Sequence, residues 1–145
     1  MQEIESMMMV NMSKFRRLNE QKLEKIMEKY DLRKIDMEII LYLHNYKDVR
    51  TAKDIAATEM FTKGHISQSV KRLREREYII ATQDMSDLRV QNLQLTDKAI
   101  PVITEVDGIK SDMEAYVFSG VTEEEIAVMK TVFAKMCDNI NKLLK

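Results

Sequence analysis

The sequence predicts a mainly α-helical protein with one small β-hairpin. Three observations carry that reading. Only three glycines and one proline occur in 145 residues, too little turn chemistry for a many-stranded sandwich or barrel. Apolar residues recur at three- and four-residue steps over most of the chain, the spacing of helices buried along one face. In one place, from Tyr78 to Leu95, the residue types turn β-branched, aromatic and alternating.

The elements follow in order. Ile4, Met8, Met12, Phe15, Ile26 and Tyr30 mark a first helix from about residue 4 to residue 30. Residues 36–44 are apolar nearly all round, which suits a short buried helix. Thr51 opens a third helix, with Asp54 a short and weak partner for a reciprocal cap. Thr62 caps a fourth, in which Ile66, Val70 and Leu73 form one narrow apolar stripe. Residues 78–82 and 92–95 read as two strands joined by a polar turn, with Leu93 and Leu95 inward. Thr96 and Asp97 start a helix that runs to Phe118, kinked near Pro101 and weakened at Gly108. Thr122 and Glu125 form a capping box for a last helix. Its Ile126, Met129, Phe133, Met136, Ile140 and Leu143 make a helix-packing seam.

Composition narrows the function. A chain 45% hydrophobic and 32% charged can bury a core and is not a disordered tail. The single cysteine, Cys137, excludes an intrachain disulfide. The start of the chain does not read as a signal peptide, and no segment reaches the ~18 uncharged apolar residues of a membrane span. A soluble cytoplasmic chain without membrane contact is expected. Net charge is −1, which taken alone argues against a nucleic-acid partner.

The location of the charge argues the other way. Residues 1–62 are neutral overall, and residues 77–145 carry a net −5. Residues 63–76 set Lys63, Lys71, Arg72, Arg74 and Arg76 against Glu75 alone, a net +4 on one helix. With the apolar stripe inward, 100° per residue puts Gly64, Ser67, Gln68 and Lys71 on the outer face. Ser67, Gln68 and Lys71 carry the donors and acceptors that read base edges in a major groove. Lys63, Arg72 and Arg74 flank them to hold phosphates. Gly64 permits close approach, and His65 lies near phosphate in the first turn. Arg89 sits at the hairpin tip, placed for a minor groove, with Asp87 pairing a basic side chain to position the tip. The bland alternative, a solvated basic face, is weakened by the helix-turn-helix before it and the hairpin after it.

With those residues in place, the chain resembles the MarR family of winged helix-turn-helix regulators. The resemblance rests on Thr51 to Ala56, on Ile66 to Leu73, on Asp87-Leu88-Arg89, and on the step from Leu95 to Lys98. Two positions depart from the family pattern: Glu77-Tyr78 and Ala99 stand where a glycine is usual. The resemblance implies an N-terminal dimerisation region over residues 1–34, a winged helix-turn-helix DNA-binding domain over 35–96 and C-terminal dimerisation helices over 97–145. It implies a homodimeric repressor on a palindromic double-stranded operator, relieved by a small-molecule effector, phenolic or otherwise aromatic. The competing class is a winged-helix protein-interaction module that does not touch DNA.

Other chemistry fits the residues less well. His44 reads as a packed core or cap residue, and neither it nor His65 has a metal-binding spacing. Cys137 reads as a small hydrophobe in a dimer seam rather than a thiol sensor. Met7, Met8, Met9 and Met12 read as flexible core filling rather than a ligand pocket. No nucleophile, base and orienting group can be assembled, and no phosphate loop occurs. Neither enzyme activity nor a cofactor is expected.

Overall fold

The computed structural model describes residues 2–48 and 50–144. Among them, six helices and one hairpin follow the chain: α1 (Gln2–Tyr30), α2 (Lys34–Asn45), α3 (Ala52–Ala56), α4 (Lys63–Glu75), β1 (Ile79–Gln83), β2 (Gln91–Leu95), α5 (Ile100–Val117) and α6 (Glu123–Leu143). A single 3₁₀ turn, Asp97–Ala99, precedes α5. The chain divides into two compact units, residues 1–109 and 110–145.

The first unit holds one apolar core. Met37, Ile39 and Ile40 of α2, Ile55 of α3, Ile66 and Leu73 of α4, Ile79 and Leu93 of the strands, and Val102 and Val106 of α5 are all buried in it. Ile26 near the end of α1 joins them. The strands pair antiparallel, Ile79 opposite Leu95 and Ala81 opposite Leu93, so Leu93 is inward as expected. The Leu93 N–H also donates to the Arg50 carbonyl at 2.7 Å, which ties the segment before α3 to the hairpin.

Several local expectations change. Asp54 is long enough after all: its carboxylate accepts from the Thr51 N–H at 2.9 Å while Thr51 Oγ1 accepts from the Asp54 N–H, a complete box. Pro101 does not kink a helix. It occupies the second position of α5, where its missing N–H has no intrahelical partner to lose. Thr96 makes no side-chain cap; its hydroxyl instead donates to the Glu77 carbonyl at 2.6 Å and clasps the two strand ends together. His44 is exposed, with Nε2 3.9 Å from Asp107, and is not a core residue.

The second unit contains the end of α5 and α6. Thr122 and Glu125 close the expected box, N–H to carboxylate at 2.8 Å. Met129, Phe133, Met136, Ile140 and Leu143 form the expected stripe and are exposed in the single chain, as is Cys137. On α1, Met7, Met9, Met12 and Phe15 are likewise exposed rather than core filling. The side chains of Ile4 and Met8 lie outside the described residues.

Helix α4 ends just before Glu77, one of the two places where the chain departs from the MarR pattern's glycine. Glu77 sits at φ +61°, in the left-handed region. The Tyr78 N–H reaches the Leu73 carbonyl and the Glu77 N–H reaches the Arg74 carbonyl, the paired bonds of a Schellman ending. A residue with a Cβ pays strain there that glycine does not. Glu77→Gly should therefore stabilise the fold by about 0.5–1 kcal/mol after the extra chain entropy of glycine is subtracted. Thermal unfolding checks this: a raised Tm is expected, and an unchanged or lower Tm contradicts it.

Candidate nucleic-acid interface

Helix α4 is set by its two faces. Thr62 caps it, Oγ1 accepting from the His65 N–H at 3.3 Å. Ile66, Ser69 and Leu73 are buried and Val70 is half-buried against the core. Lys63, Gly64, His65, Ser67, Gln68, Lys71 and Arg74 are all exposed, on one contiguous outward face. A Cβ added at Gly64 would meet no atom within 4 Å, so no internal packing demands glycine there. The Lys71 and Glu75 side chains are 3.9 Å apart and exposed, an i, i+4 pair worth about 0–1 kcal/mol.

Ser69 stands outside the apolar stripe read from the sequence, and it leads to the centre of the unit. Its hydroxyl donates to Asp36 Oδ1 at 2.5 Å, and both side chains are fully buried. Asp36 lies in the first turn of α2, where a negative charge is favoured by the helix dipole. The Arg33 N–H and Nε donate to its Oδ2 at 2.9 and 3.2 Å, and Arg33 Nη2 to its Oδ1. Burial pushes the Asp36 carboxyl up, but the hydrogen bonds from Arg33 and Ser69 outweigh it and leave the group below the usual carboxylate range. The sequence signal was available: Ser69 stands three residues after Ile66, on the same helix face.

Arg72 must be moved from the outward set. Its Nη2 donates to the Asp31 carbonyl at 2.8 Å and to Asp31 Oδ2 at 3.2 Å. Its Nε lies 3.2 Å from Asp36 Oδ2, near enough for an ion pair, although its N–H points at no acceptor. At 100° per residue Arg72 falls between Gln68 and Ser69, at the edge of the outward face, and the two acids draw it inward. Arg76 turns the same way, with Nη2 donating to the Tyr30 carbonyl at 2.7 Å.

The hairpin turn is ordered by carboxylates acting on backbone. Asp87 does not pair with a basic side chain; its Oδ1 accepts from the Arg89 N–H at 3.0 Å. That bond fixes the turn on which Arg89 is exposed. Asp84, a second organiser, accepts from the Ser86 N–H at 2.8 Å, from Ser86 Oγ and from Asn92 Nδ2 at 3.2 Å. The Asp-x-Ser spacing of an Asx turn was its signal in the sequence. Among the described residues, no three His, Cys, Asp or Glu side chains converge to hold a metal ion, and no helix is long and apolar enough to cross a membrane.

No family model matches the chain. Solved structures of similar fold do. A MepR–DNA complex of S. aureus is 27% identical, covers 83% of this chain and 90% of that one, and superposes with a TM-score of 0.61. S. aureus MepR bound to ethidium bromide is 25% identical, with coverage of 90% and 94% and a TM-score of 0.62. The transcriptional regulator Tm0710 of Thermotoga maritima is 15% identical and shares the fold over 99% of this chain and 98% of its own, at a TM-score of 0.65.

The hydrogen bonds from Ser86 and Asn92 hold the Asp84 carboxyl down at about 2, against an ordinary 3.8. A group so depressed keeps its contribution above the ordinary value and loses it as pH falls through the folded value. The turn should therefore stay ordered down to about pH 3 and loosen nearer pH 2. A carboxyl carbon titration by NMR should give Asp84 a midpoint near 2; a midpoint near 3.8 contradicts the turn geometry.

Proposed function

From the winged-helix fold it shares with the MarR-family regulators, we propose that this chain is a DNA-binding transcriptional regulator, acting as a homodimeric repressor. The observation that carries the reading is the face of α4. Lys63, Gly64, His65, Ser67, Gln68, Lys71 and Arg74 are exposed together above a buried stripe, beside a turn that exposes Arg89. Ser67, Gln68 and Lys71 read base edges, Lys63 and Arg74 hold phosphates, and Arg89 enters a minor groove, positioned by Asp87 through its backbone. The structure of MepR in complex with DNA supports this reading.

The exposed apolar stripe on α6 and the exposed apolar residues round the first half of α1 support a homodimer, since surfaces of that kind on a soluble chain mark interaction sites. Residues 1–34 and 97–145 are thus assigned to dimerisation and residues 35–96 to DNA. Two-fold symmetry then requires a palindromic operator with half-sites about one helical turn apart. Relief by a small aromatic molecule is supported by the ethidium complex of MepR. It is also supported by a groove of about 490 Å³ between α1 and α2, where Leu23, Met27, Met37 and Met60 meet Glu20, Glu24 and Glu38. Arg16 and Lys34 line the same rim, and Lys34 Nζ reaches Glu20 Oε1 at 3.3 Å, so the rim offers both signs of charge to the polar end of an aromatic molecule. Binding rather than catalysis, in the cytoplasm, completes the reading.

Selection from random duplexes followed by a salt titration tests it. A palindrome should be enriched, and log affinity should fall with log salt at a slope near −5, for about six phosphates per dimer. Failure to enrich any duplex, or a slope near zero, favours the protein-interaction module instead. Arg89→Ala should weaken binding about tenfold or more with unchanged helicity, by loss of a charge-assisted groove contact. Unchanged affinity removes the turn from the mechanism.

A further inference from the structure

Arg72 of α4 and Arg76, which caps its end, face away from the proposed DNA and grip the end of α1. Helix α1 finishes in a Schellman ending of its own. Asp31 sits at φ +49°, and the Leu32 N–H reaches the Met27 carbonyl at 2.8 Å. The last carbonyls of a helix carry its negative dipole end. Arg72 Nη2 and Arg76 Nη1 both donate to the Asp31 carbonyl, and Arg76 Nη2 donates to the Tyr30 carbonyl at 2.7 Å. Arg72 and Arg76 are one turn apart, so their guanidinium groups close on that helix end as a pair. The same end of α1 is held on α5, where Lys29 and the Tyr30 hydroxyl both donate to Glu105 Oε1. Lys98 Nζ donates to the Arg76 carbonyl at 2.7 Å and fixes the foot of α4 from the other side.

We propose that Arg72 and Arg76 are positioning residues for DNA reading: their clasp on Tyr30 and Asp31 makes the pose of α4 follow the end of α1. The inference rests on α4 being the reading helix. Arg76 spans two carbonyls with its two Nη atoms, and Arg72 Nη2 reaches both the carbonyl and the carboxylate of Asp31. Planar groups held at several points define an orientation, which a single flexible cation does not. When the clasp is loosened, α4 spends part of its time in poses that do not fit the groove. Apparent affinity then falls by the fraction of competent pose, while every phosphate partner is kept. Because coupling is reciprocal, DNA that holds α4 also steadies the end of α1, at residues that touch no DNA.

The test compares Arg72→Lys and Arg76→Lys with Lys63→Ala on the selected duplex. Lysine keeps the charge and loses the fork. Each lysine variant should bind about five- to thirtyfold more weakly with an unchanged salt slope. Lys63→Ala should lower the slope by about one for each phosphate no longer neutralised. Added duplex should slow exchange of the Leu32 amide about fivefold in the wild type and leave it unaffected in Arg76→Lys. Lysine variants that bind as the wild type does, alanine variants at 72 and 76 that lower the slope as Lys63→Ala does, or a Leu32 amide indifferent to duplex in the wild type would each overturn the proposal. A wild-type chain that retains no duplex overturns the functional reading instead. Leu32 exchange in the free protein still decides the clasp, since no rise in Arg76→Lys overturns it.

Discussion

The buried Asp36 carboxylate is the constraint on which the rest of the first unit depends. A charge taken fully out of water is costly unless hydrogen bonds replace the water it loses. Asp36 receives them from Arg33 on its own helix turn and from Ser69 on α4. Arg33 reaches both oxygens from within the same turn, and the added bond from Ser69 forms only where α2 and α4 meet at the right rotation and register. With Ser69 held inward beside Ile66 and Leu73, Ser67, Gln68 and Lys71 fall on the opposite face of α4.

This arrangement also divides the basic residues of the chain. Five of them fall in fourteen positions, yet they do two jobs. Lys63, Lys71 and Arg74 remain exposed, while Arg72 and Arg76 are drawn to acids and carbonyls at the α1–α2 junction. The near-neutral net charge of −1 is compatible with DNA for the same reason. Opposite charges are separated along the chain rather than mixed, so a local cationic face survives an acidic remainder, which limits non-specific attraction.

Much of the fold was legible in the sequence because it depends on period and caps. The helical spacing, Thr62, the box at Thr122 and the inward Leu93 all reflect local rules that short stretches obey on their own. The misreadings came where a distant partner decides. Arg72 is one more cation in a basic run until Asp31 and Asp36, more than thirty residues earlier, are placed beside it. Thr96 is a good cap until Glu77 offers its carbonyl across the strand ends. Pro101 signals a kink only if the helix begins a full turn before it, and the 3₁₀ turn at Asp97–Ala99 moves that start to Ile100. The missing glycine at Glu77 was visible as a departure, but the positive φ that gives it meaning was not.

The central claim is that the Asp36–Ser69 bond locks α4 to α2. A double-mutant cycle on unfolding free energy measures it most directly, using Asp36→Asn, Ser69→Ala and the pair. Residues joined through one buried hydrogen bond to a charge should show a coupling of about 1–3 kcal/mol, with the double variant less damaged than the singles sum to. Strict additivity within about 0.5 kcal/mol would mean the two side chains are independent and the account of how α4 is oriented is wrong.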